Sequence, residues 1–140
     1  MNRQPPPLPD HWQDLRQAAR DVRERAYAPY SRFQVGAALR TSTGEIYRGC
    51  NVENASYGGT ICAERMAVGA AVAAGDRDIT TICISLTGVP VPCGICRQFL
   101  YEFHPDMVIL LDDLNAENRD EPPESVWLSD LLPRGFRLEN

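Results

Sequence analysis

Three cysteines in two short segments have the residue type and the spacing of a metal-dependent catalytic site. Cys62 precedes a helical pattern, and Cys93 and Cys96 stand three residues apart where another helix is predicted to start. Backbone N–H groups and the helix dipole lower the pKa of a thiol at a helix start and favour the thiolate that binds metal. We therefore predict that these thiolates bind one Zn²⁺. Three protein ligands leave the fourth tetrahedral position for water, as in a catalytic zinc site.

Glu64 lies beside this predicted zinc site and has a different predicted task. It is two residues from Cys62, and residues two apart on a helix do not face the same way. Glu64 is thus a poor co-ligand but a plausible neighbour of the open metal position, where a carboxylate can take a proton from water and return it elsewhere. Zinc deaminases use a non-ligand glutamate together with a Pro-Cys-x-x-Cys element, and residues 92–96 match that element.

The remaining candidate ligands receive structural interpretations. His11 and His104 are predicted to be surface or capping residues, because they lie at the two ends of helical patterns. Cys50 and Cys83 each lie within an apolar strand pattern and are predicted to be buried structural thiols. The acidic pair at 112–113 is predicted to be a solvated strand end.

Two other functions remain open for the cysteines. A Cys-x-x-Cys pair alone is also typical of a thioredoxin-type dithiol redox site. That alternative leaves Cys62 and Glu64 without a role, and it favours a motif near the start of the domain, usually after a tryptophan. The other alternative is a zinc-stabilised scaffold without catalysis, which metal binding without turnover would distinguish.

The elements that must position these residues alternate between helices and strands. Apolar residues at steps of three and four predict a first helix over 11–27, opened by a capping box of Asp10 and Gln13. An alanine-rich helix over 62–74 is apolar on nearly every face and is predicted to be buried. A third helix is predicted over 93–103. Strands are predicted at 33–41, 45–52, 79–86, 107–112 and near Val126, with a loop over 115–125 and a helical turn over 129–132.

The order of these elements predicts an α/β layered fold with a mixed sheet. Residues 33–52 are predicted to form a β-hairpin. The strand, helix and strand between 79 and 112 imply a parallel crossover. A chain of 140 residues without repeats or linkers has the length of one domain, which we place over 11–140 after a flexible proline-rich segment over 1–10.

Composition and charge exclude several classes of function. All 14 basic residues are arginine, so the chain has neither a Schiff-base lysine nor a P-loop lysine. A net charge of -5 would repel phosphate backbones, and we expect no nucleic-acid partner. The longest apolar stretch, 66–75, is about half of the roughly 20 residues that span a bilayer, and the first residues lack the apolar core of a signal peptide. We expect no membrane partner and a cytoplasmic location with reduced cysteines.

Five motifs resemble those of the small cytidine deaminase family. They are YAPYSRFQVGAAL (27–39), NVENASYG (51–58), CAER (62–65), PCGICRQ (92–98) and LLPRGF (131–136). The resemblance covers the chain from about residue 12 to 136, and it is specific because several motifs coincide in order and spacing. It implies a three-layer α/β sandwich in which a mixed five-stranded sheet lies between helices. It also implies hydrolysis of cytidine and deoxycytidine to uridine and deoxyuridine with release of ammonia, one zinc per subunit, and a homotetramer with active sites shared between subunits.

The same resemblance implies roles for individual residues. Cys62, Cys93 and Cys96 would bind zinc, and Glu64 would carry protons. The implied substrate contacts are Asn51 and Glu53 at the sugar hydroxyls, Phe33 against the nucleoside, the Ala63 backbone at the pyrimidine ring, Phe136 in a neighbouring subunit's site and Tyr57 in a loop that also crosses there. Plain core packing is the alternative for the two phenylalanines.

Substrate size is left open by the zinc motifs. The amide of Asn51 and the carboxylate of Glu53 suit ribose hydroxyls, and Glu53 would oppose a substrate phosphate. These residues favour a nucleoside over a nucleotide. Similar proteins deaminate the cytosine ring of blasticidin S, which is the alternative substrate. The chain departs from the commonest family pattern at Val91 and Ile95, two positions of the zinc loop that bear on pocket size.

Arg65 is predicted to tune the metal. It follows Cys62 by three residues, so both side chains lie on one side of the helix. Its guanidinium can donate charge-assisted hydrogen bonds to a thiolate sulfur and offset the electron density that three sulfurs place on zinc. The alternative is an arginine that faces solvent or an acid of a neighbouring strand.

Overall fold

A computed structural model describes residues 3–139; residues 1, 2 and 140 lie outside the described residues. In chain order the elements are α1 (Trp12–Arg23), β1 (Gly36–Thr41), β2 (Ile46–Cys50), a 3₁₀ helix (Tyr57–Gly59), α2 (Ala63–Ala73), β3 (Ile79–Leu86), α3 (Gly94–Tyr101), β4 (Val108–Asp113), β5 (Glu124–Trp127) and α4 (Leu128–Leu131). Within residues 3–139, every helix is too short or too polar to cross a membrane.

The strands form one five-stranded sheet in the order β2-β1-β3-β4-β5. Strands β3 and β4 are parallel, and the other neighbouring pairs are antiparallel. The predicted mixed sheet and the parallel crossover through α3 are therefore confirmed. Because β3 runs into α3, the carboxyl end of β3 delivers the chain to the segment that carries Cys93 and Cys96.

Helices cover both faces of the sheet. On one face, Ala38, Cys83 and Leu110 pack against Leu15 and Ala19 of α1. On the other face, the alternate strand residues pack against α2 and α3; they include Ala37, Leu39, Ile82, Ile84, Ile109 and Leu111. This period-two division of the side chains produces the predicted three-layer sandwich. Burial raises the pKa of the Cys83 thiol to about 12, which fits the structural role predicted for it.

Helix α2 approaches the sheet closely because β2 has a glycine where they cross. A Cβ at Gly49 would overlap backbone atoms of Ala63 and Ala67. The missing side chain lets the first two turns of α2 lie directly on β2. This contact places the start of α2, and with it Cys62, at a defined height above the sheet.

The first helix differs from its prediction at both ends. It begins at Trp12 with His11 as the N-cap in the left-handed conformation and no side-chain cap bond, so the predicted capping box is wrong. It ends at Arg23, before the predicted residue 27. Tyr27 instead pairs with Val52, and this pairing draws the chain out of the helix.

Strand β1 begins three residues later than predicted. Residues 33–35 form a loop, because the Asn51 side chain takes its backbone groups. Asn51 Oδ1 accepts from the Val35 N–H at 2.9 Å, and Nδ2 donates to the Phe33 carbonyl at 2.8 Å. These bonds replace the ladder bonds that an extended β1 would make.

The acidic pair at 112–113 is not a solvated strand end. Asp112 is 1% exposed, and both of its carboxylate oxygens accept from the Arg20 guanidinium at 2.8 Å. Ser85 Oγ also donates to Asp112 at 2.6 Å. The prediction is wrong because α1 covers this end of β4. Arg20 also donates to the Arg119 carbonyl at 2.7 Å, so the same arginine holds the loop after β4.

The proline-rich segment has no regular structure over residues 3–9. Its backbone nevertheless contacts the domain, because Trp127 Nε1 donates to the Gln4 carbonyl at 2.8 Å. The Arg3 guanidinium lies 3.8 Å from the centre of the Trp127 ring. The flexibility of residues 1–10 stays a prediction, of which the part on residues 1 and 2 lies outside the described residues.

Candidate active site

The structure brings the three cysteine sulfurs together at the starts of two helices. Cys62 is the N-cap of α2, Cys93 is the N-cap of α3, and Cys96 lies in the first turn of α3. Their sulfurs lie within 4.8 Å of one another, and Cys62 Sγ is 4.0 Å from Cys93 Sγ. Tetrahedral zinc with sulfur ligands at about 2.3 Å needs sulfurs about 3.8 Å apart. This donor set therefore fits Zn²⁺.

Charge and hydrogen bonding divide the thiols of this cluster. The pKa of Cys62 is lowered to about 5 by a hydrogen bond from Cys96 and by the hydrogen bond and charge of Arg65. The hydrogen bond to Cys62 and burial raise the pKa of Cys96 above its ordinary value. Cys62 is therefore the first thiolate of the cluster, and Cys96 keeps its proton.

Arg65 contacts the cluster directly. Its Nη2 donates to Cys62 Sγ at 3.5 Å and to the Thr60 carbonyl at 3.4 Å. The structure thus places Arg65 against a ligand sulfur rather than in solvent or against an acid. Its Nε is buried without a hydrogen-bond partner among residues 3–139.

Glu64 is a buried carboxylic acid in the first turn of α2. It is 4% exposed, and it lines the same cavity as Cys62 and Cys93. Burial raises its pKa above the ordinary value, and the nearby charge of Cys62 adds to this effect. A carboxyl group with a raised pKa beside a metal site can exchange protons near neutral pH.

A cavity of about 300 Å³ opens next to the cysteine cluster. This volume is at the small end of the usual range for small-molecule sites. The cavity has an apolar wall of Phe33, Val35, Ala63, Ile84, Leu86, Val89 and Val91, and its polar residues include Ser31, Asn51, Glu53 and Thr60. No arginine of the described chain lines it. Four residues with predicted substrate contacts, Phe33, Asn51, Glu53 and Ala63, thus meet around one space.

The polar end groups of this cavity are partly used by the protein itself. Glu53 Oε1 accepts from the backbone N–H groups of Tyr30 at 3.0 Å and Ser31 at 3.1 Å, and Oε2 accepts from the Ser31 hydroxyl. The Ser31 hydrogen bonds hold the pKa of Glu53 below its ordinary value. Asn51 is engaged with residues 33–35, as described above. Both side chains are therefore fixed before any ligand binds.

Comparison with known proteins assigns the chain to a family. The model of the cytidine and deoxycytidylate deaminase zinc-binding region matches residues 10–112. The chain belongs to the cytidine deaminase family. A cytidine deaminase of Halalkalibacterium halodurans is 45% identical over 131 residues, which cover 91% of this chain and 96% of that protein. The crystal structure of cytidine deaminase from Burkholderia pseudomallei superposes with a TM-score of 0.81 at 43% identity, and the match covers 89% of this chain and 98% of that one.

Similarity to a deaminase of another substrate is more limited. Blasticidin-S deaminase of Bacillus cereus is 35% identical over 92 residues, which cover 59% of this chain and 66% of that protein. The cytidine deaminases thus resemble the chain over more of its length. The resemblance expected from the motifs is confirmed.

Two of the residues named from the cytidine deaminase motifs lie away from the cavity of their own subunit. Phe136 is 64% exposed, and its carbonyl accepts from Gln98 Nε2 at 3.1 Å. Tyr57 lies on the exposed 3₁₀ helix, where its ring packs edge-on against Tyr30 with centroids 6.1 Å apart. Neither residue lines the cavity around Glu64.

The histidines lie outside the cysteine cluster. His104 Nδ1 accepts from the Asp106 N–H at 3.1 Å and closes the turn after α3, and His11 is the N-cap of α1. Their predicted capping and surface roles are confirmed. Of the two departures from the commonest family pattern, Val91 lines the cavity, whereas Ile95 is exposed. Val91 is thus the departure that bears on pocket size.

Sequence reasoning missed several residues around the cavity. Ser31 was available as a signal, because it lies within the motif 27–39 and carries a hydroxyl next to Phe33. Its bonds to the Glu53 carboxylate and from the Phe33 N–H join two predicted substrate contacts. Ile84 and Leu86 gave no signal beyond that of a buried strand, although they lie at the end of β3 that opens into the cavity.

Proposed function

We propose that the protein is a zinc-dependent hydrolase that deaminates cytidine and 2′-deoxycytidine to uridine and 2′-deoxyuridine with release of ammonia. The observation that supports this function most directly is the cluster of three cysteine sulfurs beside the buried Glu64. The cavity at this cluster is also lined by an amide and a carboxylate. These groups suit a ligand that has a flat ring at one end and hydroxyls at the other.

Cys62, Cys93 and Cys96 would hold one Zn²⁺ per subunit. When bound, the ion lowers the pKa of a water molecule toward about 7 and supplies the nucleophile for C4 of the cytosine ring. The three thiol ligands leave one tetrahedral position for that water. Glu64 enters the same cavity and is the proposed proton carrier.

Glu64 acts first as a base and then as an acid. Its carboxylate takes a proton from the attacking water and gives it to N3 of the ring. It then carries a second proton, from the new C4 hydroxyl, to the amino group that leaves C4 as ammonia. The bond from C4 to nitrogen breaks as the C4 carbonyl of uridine forms. The raised pKa of Glu64 suits this double task, because a group that both accepts and returns protons works best near the operating pH.

Asn51 and Glu53 together have room for one sugar hydroxyl. After its three internal bonds, Glu53 keeps one ready acceptor position on Oε2, and Asn51 keeps one N–H of its amide. One donor and one acceptor are the complement of a single hydroxyl group. We assign this pair to the 3′-hydroxyl, which cytidine and 2′-deoxycytidine share. Phe33 and the Ala63 backbone would contact the nucleoside and its pyrimidine ring.

The charge of the cavity favours nucleosides over nucleotides. Glu53 and Glu64 line it and no arginine of the described chain does. A substrate phosphate would meet repulsion without a compensating cation. We therefore propose that CMP and dCMP are poor substrates.

A homotetramer with shared active sites is part of the proposal. Exposed apolar side chains on α2 and α3 support self-association; they are Met66, Val72, Ile95 and Phe99. Phe136 and Tyr57 support shared sites, because they are exposed and away from the cavity of their own chain. Each would extend into the cavity of a neighbouring subunit.

Three remaining parts of the proposal concern the context of the reaction. The residues 11–140 form the single deaminase domain. Product formation from free nucleosides places the reaction in pyrimidine salvage. The five free cysteines suit a cytoplasmic protein, because a reducing compartment keeps thiols available for metal.

Blasticidin S is the second candidate substrate, supported by the partial similarity to the Bacillus cereus enzyme. The deciding experiment measures ammonia release from cytidine, deoxycytidine, CMP, dCMP and blasticidin S by the purified zinc-loaded protein. The two nucleosides are expected to have values of kcat/KM far above the other three. Efficient turnover of a nucleotide or of blasticidin S would overturn the assignment.

A further inference from the structure

The loop between β3 and α3 connects the substrate cavity to the cysteine cluster. It covers residues 87–93 and contributes Val89 and Val91 to the cavity wall. Val91 also packs against the core. Val89 is 77% exposed, so its place at the cavity depends on the backbone of the loop rather than on packing of its side chain.

Asp113, the last residue of β4, holds the start of this loop. Its Oδ1 accepts from the Gly88 N–H at 3.0 Å and from the Asn115 N–H at 2.9 Å, and its Oδ2 accepts from Asn118 Nδ2 at 2.9 Å. The N–H donors hold the pKa of the Asp113 carboxyl below its ordinary value. Gly88 has a φ of 119°, a conformation that disfavours any side chain and that the bond to Asp113 selects.

The far end of the loop is held by a different side chain. Arg97 of α3 donates from Nε to the Pro92 carbonyl at 2.8 Å and from Nη1 to the Leu131 carbonyl at 2.8 Å. The segment with Val89 and Val91 thus runs between two fixed points. Asp113 is the fixed point on the Val89 side, and it does not itself touch the cysteine cluster.

We propose that Asp113 is a positioning residue for the nucleoside site, acting through the Gly88 N–H to hold Val89 against the cavity. Its kinetic consequences rest on the proposed deaminase function, whereas its effect on the loop does not. A displaced wall weakens ground-state and transition-state binding alike. Loss of Asp113 should therefore change KM more than kcat.

The experiment compares Asp113→Ala, Asp113→Asn and Gly88→Ala in the zinc-loaded full-length protein. We expect Asp113→Ala to speed amide hydrogen exchange of residues 87–92 by about tenfold. We expect its KM for cytidine to rise about five- to tenfold while kcat stays within about twofold. Asp113→Asn should restore both values, because its amide oxygen still accepts from Gly88 and the Asn118 amide can rotate. Gly88→Ala should repeat the KM change without touching the carboxylate, since a Cβ there meets no atom within 4 Å.

The matched control is Asp76→Ala. Asp76 is also a carboxylate with several donors, the hydroxyls of Thr41, Thr43 and Tyr47, but it does not line the cavity. It should leave KM and the exchange of residues 87–92 unchanged. Unaltered exchange in Asp113→Ala, or an equal rise of KM in the control, would overturn the proposal. Absence of cytidine turnover in the wild type would instead refute the proposed function, and the exchange comparison would still test the loop.

Discussion

Arg65 Nη2 lies 3.5 Å from Cys62 Sγ, across the first turn of α2. Zinc with three thiolates carries one net negative charge, whereas a site with one histidine and two cysteines is neutral. The extra electron density weakens the metal as a Lewis acid and raises the pKa of its water. The positive charge of Arg65, applied at one of the sulfurs, opposes that effect.

Substitution of Arg65 should therefore change the pH dependence of the reaction. We expect Arg65→Gln and Arg65→Ala to lower kcat by about tenfold and to move the acid limb of the profile of kcat to higher pH, by about one unit. The fold should be retained. Arg48→Gln, at an exposed arginine of β2, is the control. An unmoved pH profile with wild-type kcat would show that Arg65 does not tune the metal.

Glu64→Ala should separate metal binding from catalysis. Because Glu64 is assigned to proton transfer and not to the metal, the variant should keep about one zinc per chain. Its kcat for cytidine should fall by about 10³-fold or more. Metal analysis and steady-state kinetics on the same preparation test both statements. If zinc were lost together with activity, Glu64 would have a structural role at the cluster.

The single hydroxyl assigned to Asn51 and Glu53 predicts a pattern across sugar analogues. Cytidine and 2′-deoxycytidine should have kcat/KM values within about threefold of each other, and 3′-deoxycytidine should lose about 2 kcal/mol of transition-state binding because a charged acceptor is left unpaired. Glu53→Gln should reduce the penalty for the 3′-deoxy compound. Glu45→Gln, on the exposed β1–β2 turn, should not. A strong preference for ribose would contradict the assignment to the 3′-hydroxyl.

Shared active sites predict complementation between two inactive variants. Phe136→Ala should weaken the site of a neighbouring subunit, and Glu64→Ala should inactivate its own. Co-refolding of the two variants should yield mixed tetramers in which some sites are intact. These mixtures should exceed the activity of either parent, as measured by ammonia release. Mixing without subunit exchange is the control, and absence of any gain would place Phe136 outside the neighbouring site.

The bond between Arg20 and Asp112 predicts a large contribution to stability. Arg20→Ala would leave the buried Asp112 carboxylate without its cation, at a cost of about 3 kcal/mol in the free energy of unfolding. Urea denaturation measures this change. Arg25→Ala, at an exposed arginine just after α1, should change the same quantity by less than about 0.5 kcal/mol. Equal effects of the two substitutions would show that the ion pair does not stabilise the fold.

The cysteine cluster was predictable from sequence because its geometry is local. Cys93 and Cys96 are brought together by the pitch of one helix, and Cys62 begins another. Glu64 was predictable for the same reason. Strand order was accessible in part, since an intervening helix requires parallel neighbours, whereas the number of five strands came from the resemblance to a family.

The predictions that failed depend on contacts between distant parts of the chain. The burial of Asp112 depends on Arg20, which belongs to the first helix. The early end of that helix depends on the pairing of Tyr27 with Val52. The late start of β1 depends on the side chain of Asn51, and no local pattern reveals that an asparagine will replace the ladder of a strand.

The two helices that present the cysteines are separated in sequence by β3, so the complete thiol set exists only in the folded chain. An unfolded chain offers the ion a flexible pair and a distant third thiol. Zinc then binds the native state preferentially, and each tenfold increase in free zinc above its Kd adds about 1.4 kcal/mol to the free energy of unfolding. The lifetime of this protein against proteases would thus follow the zinc supply of the cell.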